Sequence, residues 1–176
     1  MKTIIIYTSK SGFTKKYSEW LAESMSADII DLKDAQKKEN SFFDGYEAIV
    51  YAGWCMAGSV VKVKWFLDKT AAWREKRLAI MVVGGSPNDN PDVEETLSKI
   101  LNDEQRKYIK AFYCQGGIDY DKMKGPSKLA MKMFASALKK KKDEKSRQVG
   151  EYISSSYDIS DVKYIEPIVA YLKGLS

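Results

Sequence analysis

The chain has 176 residues, 44% hydrophobic and 30% charged, which suits one ordinary globular domain and excludes a collagen-like or wholly disordered polymer. It contains no histidine, and that removes histidine-dependent nucleophilic triads, H-E-x-x-H metalloproteases and most zinc sites. The net charge of +5 is local: residues 122–147 hold 10 Lys/Arg against 2 Asp/Glu, or +8, which leaves 19 basic and 22 acidic residues, or −3, for the rest of the chain.

The start, M-K-T-I-I-I-Y-T-S-K, has too short an apolar part for a secretory signal. No apolar run reaches the ~20 residues of a membrane span, so a cytoplasmic location is expected. Thr3-Ile4-Ile5-Ile6-Tyr7 is a β-branched run that predicts a strand buried on both faces. From Phe13 to Met25, Tyr17, Trp20, Leu21 and Met25 recur at helical spacing. Asp28 to Leu32 predicts a short second strand, and the polar Lys33 to Ser41 stretch a connection with one helical turn. Glu47 to Ala52 is a third strand; it ends in Gly53-Trp54-Cys55-Met56-Ala57-Gly58, and Val60 to Lys69 carries a helical pattern through Val61, Trp65 and Leu67. Leu78 to Val83 is a fourth strand, stopped by the loop Gly84-Gly85-Ser86-Pro87-Asn88. Pro91 suits the first turn of a helix running towards Leu101. Ala111 to Cys114 is a fifth strand closed by Gly116-Gly117, and a helix over Asp161 to Leu172 ends at Gly174, with Pro167 kinking it or moving its start.

Strand and helix alternate, which predicts a single α/β domain over 1–176 with a parallel sheet and helices on both faces. Ligands of such sheets bind beyond the carboxyl ends of the strands, and the glycine-containing loops after strands one, three, four and five fall on that edge. After strand one stands Thr8-Ser9-Lys10-Ser11-Gly12-Phe13-Thr14, with four hydroxyl side chains and a glycine at the start of a helix. Amides at a helix N-terminus, joined by hydroxyls, can hold a phosphate without histidine or arginine; the same residues would also serve as a plain polar cap. Neither G-x-x-x-x-G-K-[ST] nor G-x-G-x-x-G is present at this turn.

The T-S-K-S-G-F-T loop and the glycine-bounded loops after strands three and four resemble the flavodoxin family over most of the chain. That resemblance implies a doubly wound five-stranded parallel sheet of order 2-1-3-4-5 and FMN as cofactor. The length, the Y-A-G-W-C-M-A-G-S segment and the A-M-K-M-F-A-S-A-L-K-K-K-K insertion after strand five, about 119–150, look like the flavodoxin-like protoporphyrinogen dehydrogenases. Carried over, Ser9, Ser11 and Thr14 supply hydroxyls to the phosphate, Lys10, Gly12 and Phe13 supply amides, and Thr8 opens the loop. The loops beside the flavin ring correspond to Gly53, Trp54, Cys55, Met56, Ala57 and Gly58, and to Gly84, Gly85, Ser86 and Asn88. Trp54 offers a flat face for stacking, with a core tryptophan as the other reading. The loop after strand four has no aromatic residue, which leaves one flavin face to a substrate or to Tyr120. In the implied strand order Cys55 and Cys114 end strands two spacings apart, roughly 10 Å, too far for a disulfide. No acid, base or metal ligand stands out.

In the insertion, Ala130, Met131, Met133, Phe134, Ala137 and Leu138 form an apolar stripe among lysines. Such a helix fits an anionic membrane surface through residues 122–147, at the inner face of a membrane, or a large planar apolar substrate, or packing on its own domain. Lys139 to Lys142 alone, with no recognition motif, give little support to nucleic-acid binding. Two activities follow from the resemblance: an FMN-dependent oxidoreductase that takes electrons from a porphyrinogen-like substrate to a quinone, or an electron carrier between protein partners. Carrier flavodoxins are usually acidic, and this chain is not.

Overall fold

Period-two alternation of apolar residues along each strand builds the core on two sides of one sheet. Ile4, Ile6, Ile49, Tyr51, Leu78, Ile80 and Val82 point to one side, and Ile5, Val50, Ala52, Ala79, Met81 and Val83 to the other. The computed structural model describes residues 1–56, 58–123 and 125–175. Its strands β1 (Thr3–Tyr7), β2 (Asp28–Asp31), β3 (Ala48–Met56), β4 (Arg77–Gly84) and β5 (Ile109–Gln115) pair in parallel in the order β2-β1-β3-β4-β5. This is the expected order, and its switch point lies between β1 and β3.

The longer helices are α1 (Phe13–Met25), α2 (Val63–Leu67), α3 (Pro91–Ile100), α4 (Pro126–Lys139), α5 (Glu144–Tyr152) and α6 (Glu166–Lys173). α1 and α6 cover one face through Tyr17, Leu21, Ile168 and Leu172. Leu32, Phe43, Phe66, Trp73 and Val93 cover the other. Pro167 sits in the first turn of α6, after a 3-10 turn over Val162–Ile165, so the proline moves the helix start and does not kink it. Gly174, at φ 71°, closes the helix in the left-handed cap position.

Three segments depart from expectation. β3 continues past Ala52 to Met56: Gly53 and Trp54 pair in parallel with Val82 and Val83 of β4, and Cys55 and Met56 pair antiparallel with Val60 and Ser59. The stretch expected as a loop is therefore a hairpin, turned at Gly58 with φ 73°. Val60, 3% exposed, is spent on this hairpin, so α2 begins only at Val63. The insertion holds a second helix, α5, capped by Asp143, whose carboxylate accepts from the Ser146 amide at 2.7 Å. α4 and α5 meet at Gly150, where a Cβ would lie 2.7 Å from the Lys139 nitrogen. The insertion closes on the domain through a two-stranded antiparallel pair, Gly117–Ile118 with Tyr157–Asp158, and Lys16 Nζ reaches Asp158 at 3.0 Å.

Candidate functional site at the carboxyl edge of the sheet

The loop from Thr8 to Thr14 is anchored at its start, where the Thr8 amide donates to the Ala52 carbonyl at 2.9 Å. Gly12 has φ 100°, a conformation costly for other residues, and so turns the chain into α1. The first helical bond runs from the Lys16 amide to the Gly12 carbonyl at 2.9 Å. The amides of Phe13, Thr14 and Lys15 thus precede the helical ladder at an open helix start. One assigned donor is already engaged, since the Gly12 amide donates to Ser9 Oγ at 3.2 Å. Thr14 is 1% exposed and sits under the loop, whereas Ser9, Ser11, Gly12 and Phe13 are half-buried and Lys10 is exposed.

A depression of about 470 Å³ opens here, lined by Tyr7, Ser9, Lys10, Ser11, Gly12, Lys15, Asp31, Asp121 and Lys122. Three lysines face two aspartates, so the depression carries a small positive excess. Asp121 and Lys122 come from the first turn of the insertion, and a Cβ on Gly12 would lie 3.7 Å from Lys122 Nζ. Tyr7, Lys15, Asp31, Asp121 and Lys122 were not singled out for this site from sequence; the only signal for Lys122 was its place at the start of the basic segment.

Trp54 is half-buried, stands outside both core clusters, and has Lys10 Nζ 5.8 Å from its ring centroid. The indole thus borders the turn over residues 8–14. Gly53 is held by packing: a Cβ there would fall 2.6 Å from Val60. Cys55 packs on the core, and burial pushes its thiol up. Met56 is 57% exposed, Gly58 is exposed, and Ala57 lies outside the described residues. Both cysteines are free; burial pushes the Cys114 thiol up to about 12.

The loop after β4 is fixed by tyrosines that the sequence did not single out. Tyr113 Oη accepts from the Ser86 amide at 3.1 Å and donates to the Ser86 carbonyl at 2.9 Å. Tyr157, arriving from the end of the insertion, donates its hydroxyl to the Gly85 carbonyl at 2.8 Å. Burial raises both phenols well above their ordinary range. A Cβ on Gly84 would sit 2.3 Å from Tyr113 Oη. Asn88 bridges to β5: its side-chain oxygen accepts from the Gln115 amide at 2.9 Å, and its own amide donates to Gln115 Oε1 at 2.9 Å. Tyr120 does not hang over this edge. It is 7% exposed and donates to the Ile153 carbonyl at 2.7 Å, within the insertion.

Among the described residues no group of three or more His, Cys, Asp or Glu could hold a metal ion. A parallel sheet in this order, a hydroxyl-rich turn into the first helix and two further loops on the same edge define a flavodoxin-type α/β protein. The model of the flavodoxin domain family matches residues 4–145, and the chain belongs to that family. No curated relative matches. Among solved structures, the chain is similar to a flavodoxin, WrbA-like protein from Agrobacterium tumefaciens, at 19% identity and a TM-score of 0.50, covering 87% of this chain and 94% of that one. It is also similar to the Trp repressor binding protein from Bacillus subtilis, at 14% identity and a TM-score of 0.50, covering 91% of this chain and all 100% of that one. Both likenesses are of fold.

Proposed function

We propose that this protein binds FMN and serves as an FMN-dependent oxidoreductase. The observation that carries this reading is the turn at Ser9 to Thr14, where Gly12 at φ 100° opens a helix start onto a 470 Å³ depression with hydroxyls and lysines around it. A phosphate monoester fits that chemistry: Ser9, Lys10, Ser11 and Lys15 line the depression, and the Ser9 and Ser11 hydroxyls, the Lys10 amide and the amides of Phe13, Thr14 and Lys15 at the helix start would donate to it. Trp54 would pack on the ring system, and the backbone of Gly84, Gly85 and Ser86, held by Tyr113 and Tyr157, would border it. Asn88 would contribute by fixing that loop to β5. When bound, FMN supplies electron exchange with a donor and an acceptor; the chain's part is to hold it, shape its surroundings and limit water.

For the substrate, the resemblance to protoporphyrinogen dehydrogenases favours a porphyrinogen-like donor whose six electrons and six protons pass, two at a time, to three quinones that leave as quinols. Anaerobic incubation of FMN-loaded protein with protoporphyrinogen tests this. Porphyrin fluorescence should rise only when quinone is added. No rise with quinone, together with rapid electron exchange with a redox protein, would instead make it a carrier.

The insertion supports a second reading, peripheral binding to an anionic membrane. No helix among the described residues is long and apolar enough to cross a membrane. On α4 the apolar stripe divides: Ala135 and Leu138 are buried, while Leu129, Met133 and Phe134 are 62%, 64% and 55% exposed. These three lie beside Lys128 and Lys132 on a segment of net +8, the pattern of an interfacial helix drawn to acidic headgroups. Co-sedimentation with phosphatidylglycerol vesicles and not with phosphatidylcholine vesicles is expected, and Phe134→Ser with Leu129→Ser should abolish it. Equal recovery with both lipids, or none, would reject this reading.

A further inference from the structure

We infer that Lys122 is a phosphate-reading residue, through which the insertion senses whether the flavin carries its phosphate. This rests on the FMN reading above. Flavodoxin-type turns can hold a phosphate by amides and hydroxyls alone, yet here a cation from a distant segment stands at the same turn. Lys122 lines the depression with Ser9, Lys10, Ser11 and Gly12. Its Nζ lies where the missing Gly12 side chain would almost touch it, at 3.7 Å.

Its position is built. Asp119 Oδ1 accepts from the amides of Asp121 and Lys122, each at 3.0 Å, and the Met123 amide donates to the Asp119 carbonyl at 3.1 Å. Tyr120, between them, is pinned at both ends: its amide donates to Ser156 Oγ at 3.0 Å and its hydroxyl to the Ile153 carbonyl at 2.7 Å. The Lys122 ammonium pairs with Asp119 Oδ2 at 3.2 Å and remains 66% exposed, so it can turn to a stronger anion without the turn coming apart. Asp31 and Asp121 line the same depression; they oppose an anion, which makes the lysine more necessary for a dianionic ligand and less useful for an uncharged one.

The far end of the insertion delivers Tyr157 to the Gly85 carbonyl. The 119–158 segment therefore touches the site at both ends, the phosphate loop through Lys122 and the loop after β4 through Tyr157. Phosphate contact at one end would steady the whole segment.

The test compares FMN and riboflavin binding to flavin-stripped wild type, Lys122→Met and Lys122→Arg, at low and high salt. One lost charge-assisted contact predicts about ten-fold weaker FMN binding for Lys122→Met, a loss that shrinks at high salt. Riboflavin binding should be unchanged, and Lys122→Arg should recover most of the affinity. FMN, and not riboflavin, should also slow tryptic cleavage after Lys122 in the wild type. Wild-type FMN affinity in Lys122→Met, or an equal loss for both flavins, would overturn the inference and leave the FMN reading standing. Failure of the wild type to bind either flavin would overturn both.

Discussion

Tyr17 holds together the three parts of the chain that shape the site, and removing its hydroxyl oxygen has a calculable cost. The side chain is fully buried on α1. Its hydroxyl donates to the Gln115 carbonyl at the end of β5, at 2.6 Å, and accepts from the Asp161 amide, just after the insertion, at 3.1 Å. Burial pushes this phenol well above its ordinary range, so the oxygen stays protonated as a donor at neutral pH. Tyr17→Phe leaves one carbonyl and one amide without that partner, at about 1–3 kcal/mol each. A total of about 3 kcal/mol corresponds, at roughly 2–4 °C per kcal/mol for a domain of this size, to a fall in Tm of about 6–12 °C. Calorimetry and urea denaturation followed by circular dichroism measure this, with the denaturant slope expected to stay constant. A fall of less than about 2 °C, outside the range the conversion allows, would show that the hydroxyl is not the tie described.

Gly84→Ala should force Tyr113 away from Ser86, since the new methyl would stand 2.3 Å from the phenol oxygen; we expect about 1–3 kcal/mol lost and weaker binding of both flavins alike, measured by urea denaturation and flavin titration. The Lys122 amide, joined by the Lys122 ammonium and the Asp121 amide, holds the Asp119 carboxyl below its ordinary value of 3.8, against the opposing effect of desolvation. A group with a depressed folded pKa stabilises above its unfolded value and loses that contribution as pH falls through the folded one. The 119–122 turn should therefore loosen as the solution is acidified from about pH 4 downwards, seen as a lower hydrogen-exchange protection factor at the Lys122 amide. In Asp119→Asn this step should vanish, and a wild-type profile in the variant would refute the assignment.

β1, β3 and β4 are legible in the sequence because their β-branched and aliphatic runs meet no competing signal, and α1 because its larger apolar residues recur at helical spacing. Ile4 to Ile6 and Leu78 to Val83 are buried whichever face they point to, so local pattern and tertiary environment agree. The hairpin at Cys55 to Val60 is not legible, because only cross-strand pairing and the burial of Val60 distinguish it from a glycine-bracketed loop. α5 is hidden in a mostly polar stretch; Asp143 three residues before Ser146 was its one local mark. At the candidate site, the turn over residues 8–14 is readable as a contiguous motif. The contributions of Lys122, Tyr113 and Tyr157 depend on chain crossings far apart in sequence. Gly84 and Gly85, expected beside the flavin ring, each pack against a tyrosine hydroxyl on the Cα side.

The central claim is that the turn from Ser9 to Thr14 binds the phosphate of FMN. Fluorescence titration of flavin-stripped protein with FMN and with riboflavin tests it most directly. Two or more charge-assisted hydrogen bonds to the phosphate, at about 1.5–3 kcal/mol each, predict that FMN binds about 100-fold or more tightly than riboflavin. Equal affinity for the two flavins, or no binding of FMN by folded protein, would contradict the account.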